Sequence, residues 1–147
     1  MKLSTRGRYA VRAMVDIAMY HGETPVLLRD VAERQQLSMH YLENIFVRLR
    51  TAGLVKSTRG ARGGFVLAKL PSEIPLSEIV NVLEGPIAPV ECVNDPAVCE
   101  RASFCAVRDL WVEMGAAASK VLESVTLQDL VEWEKKKEQP EALIYYI

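Results

Sequence analysis

Ser38-Met39-His40-Tyr41-Leu42-Glu43-Asn44-Ile45-Phe46-Val47-Arg48-Leu49-Arg50-Thr51 is the stretch that decides how this chain folds. At about 100° per residue, Leu42, Ile45, Phe46 and Leu49 fall on one side of a helix and form an apolar stripe. His40, Glu43, Asn44, Val47 and Thr51 fall opposite, with Arg48 at their edge. Ser38 is a good N-cap, because its hydroxyl can accept from a backbone N–H of the first turn. Gly53 closes the helix. Immediately upstream, Leu27 to Arg34 predicts a shorter helix with Leu28, Val31 and Ala32 facing inward, and Gln35-Gln36-Leu37 is the turn between the two. Two helices joined by so short a turn make a helix-turn-helix. The outer face of the second helix has the chemistry to read DNA. Asparagine can bond adenine through two hydrogen bonds, and glutamate can accept from the cytosine amino group. Arg48 and Arg50 can reach phosphates. An ordinary solvated helix face has a similar composition, so the flanking segments carry weight.

Downstream, Leu54 to Thr58 predicts a short strand, Arg59-Gly60-Ala61-Arg62-Gly63-Gly64 a glycine-rich turn, and Phe65-Val66-Leu67 the returning strand. A hairpin in that place is a wing. Arg59 and Arg62 suit phosphate contact or a narrow minor groove. The turn lacks a Gly-Lys-Ser/Thr ending and no helix follows it, which argues against a nucleotide-phosphate loop. Upstream, Thr5 to Tyr20 predicts a helix with a broad apolar surface built on Ala10, Met14, Ile17 and Ala18, leaving Arg6, Arg8 and Arg12 as cations near its start. Residues 1–70 therefore read as a winged-helix DNA-binding domain.

Charge agrees with this division. Residues 1–69 hold twelve Lys and Arg against five Asp and Glu, whereas residues 70–147 hold six against fourteen, so a net charge of −1 conceals a basic half and an acidic half. Only the first suits a polyanion. Half of the 147 residues are hydrophobic and a quarter charged, as in a folded soluble protein. There is no apolar run near the roughly 18–20 residues of a membrane span, and no secretory h-region follows the N-terminus. The expected location is the cytoplasm, with no membrane partner.

Residues 71–105 read as a connector helix, Leu76 to Glu84, followed by a loop that carries all three cysteines, Cys92, Cys99 and Cys105. Pro96, Asn94 and Asp95 favour turns there, so an irregular loop that brings three sulfurs together is expected. An odd number of cysteines cannot all pair as disulfides, and in a reducing compartment clustered cysteines bind metal or sense redox state. The gaps of six and five residues match neither the tight spacing of zinc ligands nor the Cys-x-x-Cys of a redox pair. An iron–sulfur cluster stands first on spacing, ahead of reactive thiols, zinc and inert cysteines. Residues 106–147 read as a dimerisation helix, a last helix and a tail. From Phe104 to about Val125, Val107, Leu110, Trp111, Met114, Val121 and Leu122 recur at helical steps. Such a helix is about 30 Å long, more apolar face than a small winged-helix domain covers. A second copy of the chain is the expected occupant, since helix-turn-helix proteins bind two half-sites as dimers. Thr126 with Asp129 resembles a capping box that starts the last helix, and the apolar tail Ala142-Leu143-Ile144-Tyr145-Tyr146-Ile147 follows Pro140. The fold class is thus mostly α: a winged helix-turn-helix with a small β-hairpin wing and a long C-terminal dimerisation helix.

The chain resembles the IscR-like family of iron–sulfur cluster regulators, among the bacterial winged-helix repressors. The likeness runs to about residue 133 and is dense in Met1 to Val11, in Ser38 to Arg50, in Gly53 to Gly64, and in the placement of the three cysteines before Leu110-Trp111. It implies a homodimer that swaps long helices on double-stranded operator DNA, with Cys92, Cys99 and Cys105 as ligands of an iron–sulfur cluster, [2Fe-2S] ranked ahead of [4Fe-4S]. The cluster would change which operators are bound, including those of cluster-biogenesis genes. The resemblance also implies Ser38, His40, Tyr41, Glu43 and Arg59 as DNA contacts, Glu43 the discriminating one. Asn44 and Arg62 join them on their chemistry. Two departures stand out. The first cysteine gap holds six residues where the family has five, and Arg108 stands where the family has a ligand histidine. Arginine offers donors and no lone pair, which leaves the fourth ligand unassigned. Relatives that sense nitric oxide use an aspartate where this chain has Arg8, so that role is not carried over. The alternative is a metal-free, thiol-based redox-sensing regulator of the same fold. No acid–base constellation converges, so neither an enzyme nor a small-molecule substrate is expected. A small electron-transfer protein is a third reading, which the wing arginines argue against.

Overall fold

The structure is a computed structural model that describes residues 2–22, 24–61 and 63–139. The apolar tail and Arg62 lie outside the described residues. Helices α1 (Thr5–Met19), α2 (Leu28–Gln35) and α3 (Met39–Thr51) lead into a hairpin of β1 (Val55–Thr58) and β2 (Gly64–Leu67). Then come α4 (Leu76–Glu84), the four-residue α5 (Glu91–Asn94), α6 (Ala106–Ser124) and α7 (Leu127–Glu138).

The core follows the apolar stripes. Ala10, Ala13, Met14 and Ile17 of α1 are sealed against Val31 of α2 and Leu42, Ile45, Phe46 and Leu49 of α3. Burying each of these larger side chains contributes about 1.5–3 kcal/mol. The hairpin is antiparallel, with Val55 opposite Leu67 and Thr58 opposite Gly64. Its Phe65 ring packs on Phe46 at 4.8 Å, which fixes the wing to the recognition helix. One further pairing extends it: Val26 N donates to Phe65 O at 2.9 Å and Phe65 N to Val26 O at 2.8 Å. A Cβ at Gly64 would lie 2.5 Å from Val26 O, so this approach of two backbones needs glycine.

Helix α4 covers the residues expected of it and buries Leu76, Ile79, Val80 and Leu83. It packs against α1, and Leu76, Ile79 and Leu83 belong to the same core cluster. The last helix returns to that core as well. Leu76 N donates to Val125 O and Leu127 N to Ile74 O, both at 2.8 Å, and this two-bond clasp seats Leu127 and Val131 of α7 inward. The capping box is formed: Thr126 N donates to Asp129 Oδ2 at 2.8 Å, and Asp129 N to Thr126 Oγ1 at 3.2 Å. Between these anchored helices, α6 meets the core only at its periphery, through Leu122. Gly115 is its one buried residue, pressed against Ile87, Ala88 and Pro89.

The cysteine segment is more ordered than an irregular loop. It consists of α5 and two single 3-10 turns, Pro96–Val98 and Ala102–Phe104. Asp95 accepts from Ala97 N at 3.0 Å and Pro96 opens the first 3-10 turn, so the residues that signalled turns make them as helical pieces.

Candidate nucleic-acid interface and cysteine segment

Ser38 Oγ accepts from Tyr41 N at 3.4 Å, which caps α3 and sets the rotation of everything after it. His40, Glu43, Asn44, Val47, Arg48, Arg50 and Thr51 are all exposed. His40 Nδ1 stands 3.9 Å from Glu43 Oε2, too far for a hydrogen bond. Thr51 Oγ1 donates back to Val47 O at 2.8 Å, so that hydroxyl is engaged with its own helix. Val47 is 52 % exposed in the middle of this polar face. An apolar group there suits the methyl of thymine.

Two grooves run along α3, and Val47 lines both. One lies toward the wing, with Met39, Glu43 and Arg50 facing Thr58, Gly60 and Gly63. The other lies toward α1, with Tyr41, Asn44 and Arg48 facing Arg6. Helix α3 is therefore a ridge with an arginine on each flank, Arg50 beside Glu43 toward the wing and Arg48 toward α1. Arg59 is exposed at the wing tip. Tyr41 is half-buried and packs edge-on against Tyr9, centroids 5.7 Å apart, with the Arg12 guanidinium 5.4 Å from the Tyr9 ring. Of the DNA contacts expected from the sequence, Ser38, His40, Tyr41, Glu43 and Asn44 share one helix, Arg59 stands on the wing, and Arg62 falls outside the described residues.

The helix-turn-helix is aimed by an ion pair that sequence reasoning missed. Asp16 of α1 is 2 % exposed and takes both Nε and Nη2 of Arg34, the latter at 2.6 Å. Gln35 Nε2 adds a third donor at 3.0 Å. The hydrogen bond to Asp16 raises the Arg34 pKa further above its already high ordinary value. The signal was present: a lone aspartate beside Ile17 in an apolar helix, with Arg34 at the end of the next.

Cys92, Cys99 and Cys105 are free and half-buried. Cys92 lies on α5, Cys99 ends the first 3-10 turn, and Cys105 caps α6. Arg108, one turn into α6, donates from Nε to Cys92 O at 2.9 Å. Among the described residues, no three His, Cys, Asp or Glu side chains are gathered to hold a metal ion, so the expected convergence of sulfurs is not assembled in this conformation. Soft thiolates are nevertheless the donors an iron–sulfur cluster takes. The nearby carboxylates Glu91, Asp95 and Glu100 are exposed, and Arg108 offers donors only. The segment fits a cluster in ligand type, with three thiols where a cluster usually takes four ligands.

Beyond the segment, α6 presents Val107, Leu110, Val112, Met114 and Val121 to solvent, each between 38 and 60 % exposed.

Residues 3–133 match the family model described as Rrf2, iron-dependent transcriptional regulator. The chain belongs to the Rrf2 family. Among its relatives, the HTH-type transcriptional regulator CymR of Bacillus subtilis (strain 168) is 44 % identical over 147 residues, the whole of both chains. The HTH-type transcriptional regulator IscR of Serratia proteamaculans (strain 568) is 39 % identical over 131 residues, 89 % of this chain and 79 % of that one. The solved structure of T. potens IscR superimposes with a TM-score of 0.80 at 38 % identity, covering 99 % of this chain and 97 % of the other. This Rrf2 protein is thus a winged-helix, DNA-binding transcription regulator rather than an enzyme, and its resemblance to the IscR-like regulators holds. Among the described residues no helix is long and apolar enough to cross a membrane.

Proposed function

We propose that this Rrf2 protein binds operator DNA as a homodimer in the cytoplasm, with Cys92, Cys99 and Cys105 holding an iron–sulfur cluster whose gain or loss changes operator affinity, and that cluster-biogenesis genes are among its targets. One observation carries the reading: three free, half-buried thiols sit on consecutive turns between α4, which belongs to the DNA-binding core, and α6, which carries the uncovered apolar face. When bound, a cluster supplies a cross-link among those turns whose presence depends on iron, sulfide and oxidants.

The chain's own residues provide the connections. Glu84, the last residue of α4, accepts a hydrogen bond from Ser4 Oγ, and Ser4 Oγ in turn accepts from Gly7 N at 3.1 Å to cap α1. Asn94 Nδ2 donates to Pro86 O at 3.2 Å, and Arg108 ties Cys92 to α6. The segment is thereby bonded to the turn after α4, whose last residue holds the start of α1, and to α6, which carries the uncovered apolar face. An effector here can shift operator affinity only by the difference in its own affinity for the two states. The test is protein purified without oxygen, with its visible spectrum, iron and acid-labile sulfide measured. A coloured protein with stoichiometric sulfide supports the reading. A colourless one, even after anaerobic reconstitution, refutes it.

A second reading keeps the regulator and uses the thiols directly as redox sensors without metal. Arg108 in the fourth-ligand position favours it, as does likeness to CymR, described as the global cysteine regulator of B. subtilis. Its mark is a colourless protein whose DNA binding falls with oxidant and returns with reductant.

A further inference from the structure

We infer that Arg6 of α1 and Arg48 of α3 form a clamp for one DNA backbone phosphate, on the flank of the recognition helix opposite the wing. The inference rests on the family's DNA binding and adds a contact that the wing and the base-reading face do not provide.

Four polar side chains line the groove between the two helices: Arg6, Tyr41, Asn44 and Arg48. Each offers hydrogen-bond donors, and no carboxylate lines the groove. The groove measures about 400 Å3, ample for a phosphate group. Arg6 is half-buried, its Nε is sealed from solvent, and that N–H has no partner. That N–H lies out of a phosphate's reach, so the contact falls to the two terminal nitrogens of the guanidinium. Among the described residues, neither Arg6 nor Arg48 takes part in an ion pair, whereas Arg34, on the helix between them in sequence, is bound to Asp16. Both cations therefore stand uncompensated around a common space.

Position selects the anion. On α3, Asn44 and Arg48 lie on one side of Val47, and Glu43 and Arg50 lie on the other. A helix seated in the major groove has a phosphate strand along each flank. The wing serves one strand. The other passes over α1, where a forked guanidinium and a second cation meet a phosphodiester oxygen pair. Arg6 is placed for this by Ser4, which caps α1 and is bonded to Glu84.

The experiment is fluorescence anisotropy of the full chain with two labelled duplexes, its own upstream promoter region and a mixed-sequence duplex, across a salt series. Arg6→Ala is expected to weaken binding to both duplexes by a similar factor and to flatten the slope of log K against log salt by about 0.9, one phosphate's worth. Arg6→Lys keeps the charge and so the slope, but binds more weakly for want of the fork. In an Arg48→Ala background, Arg6→Ala is expected to cost less than it does alone, because the two share one phosphate. Arg48 is exposed, so Arg48→Ala supplies the same slope test if Arg6→Ala does not fold. Slopes unchanged in both single variants would overturn the clamp while leaving DNA binding intact. Failure of the wild-type chain to bind either duplex would overturn DNA binding itself.

Discussion

Arg108 Nε donates to the carbonyl oxygen of Cys92 at 2.9 Å, so a side chain of α6 is bonded to the backbone of the first proposed ligand. The bond ties the first turn of α6 to α5 and closes the segment on itself.

Cys92→Ala, Cys99→Ala and Cys105→Ala should each remove iron and sulfide from anaerobically purified protein. They should leave far-UV circular dichroism and the melting temperature near those of cluster-free wild type, since no cysteine belongs to the core cluster, while loaded wild type melts higher because a group bound to the folded state stabilises it. Arg108→His adds a ligand of the right type and is expected to prolong cluster retention in air. Equal retention would place the fourth ligand elsewhere, and unchanged iron in all three alanine variants would remove the cysteines as ligands.

Glu43 faces the wing-side groove with no bonded partner closer than His40 at 3.9 Å. A carboxylate beside DNA is unfavourable except where it meets a base amino group. Glu43→Ala should therefore bind disfavoured sites more tightly and lose about 1–3 kcal/mol of discrimination at one base position. Uniform weakening across operators, read by competition binding, would contradict a discriminating role.

The Asp16–Arg34 pair should behave asymmetrically. Breaking a buried pair by removing the cation costs roughly 3–5 kcal/mol when the charge left behind is fully enclosed. Here Arg34 is 31 % exposed and Gln35 still donates to Asp16, so Arg34→Met should cost less, about 2–3 kcal/mol. Asp16→Asn leaves no buried charge and should cost about 1 kcal/mol. Adding Asp16→Asn to Arg34→Met should recover stability, because the uncompensated charge is gone. Urea denaturation midpoints of the three variants check the order.

Most of this architecture was legible because it is periodic. The stripe Leu42, Ile45, Phe46, Leu49 marked α3, and Leu76, Ile79, Val80, Leu83 marked α4 to its last residue. Ser38 was legible as a cap because a short side chain with an acceptor oxygen, as in Ser, Thr, Asp or Asn, is what that position favours. Features that depend on distant partners left no local pattern. The Val26–Phe65 bridge and the clasp joining Ile74 and Leu76 to Val125 and Leu127 are single pairings between segments far apart in the chain. Arg6 read as one more exposed cation because its burial is set by α3, forty residues on. The cysteines were legible as a group from spacing, but spacing carries no information on how the turns between them fold.

The apolar face of α6 yields the last prediction. Leu110 and Val121 are 52 and 60 % exposed, and Val107 and Met114 extend the same surface. Isolated exposed apolar residues are ordinary, but a continuous stripe marks an interaction site. Helix α6 contributes Leu122 to the periphery of the core and buries only Gly115 outright, so a charge at its outer face should not disturb folding. Leu110→Asp is expected to preserve helical content and melting while halving the mass seen by sedimentation equilibrium. Binding to an operator with two half-sites should fall far more than binding to one half-site, since only the first gains from joining two recognition helices. A Leu110→Asp protein of unchanged mass would mean that α6 is not the surface through which two copies meet.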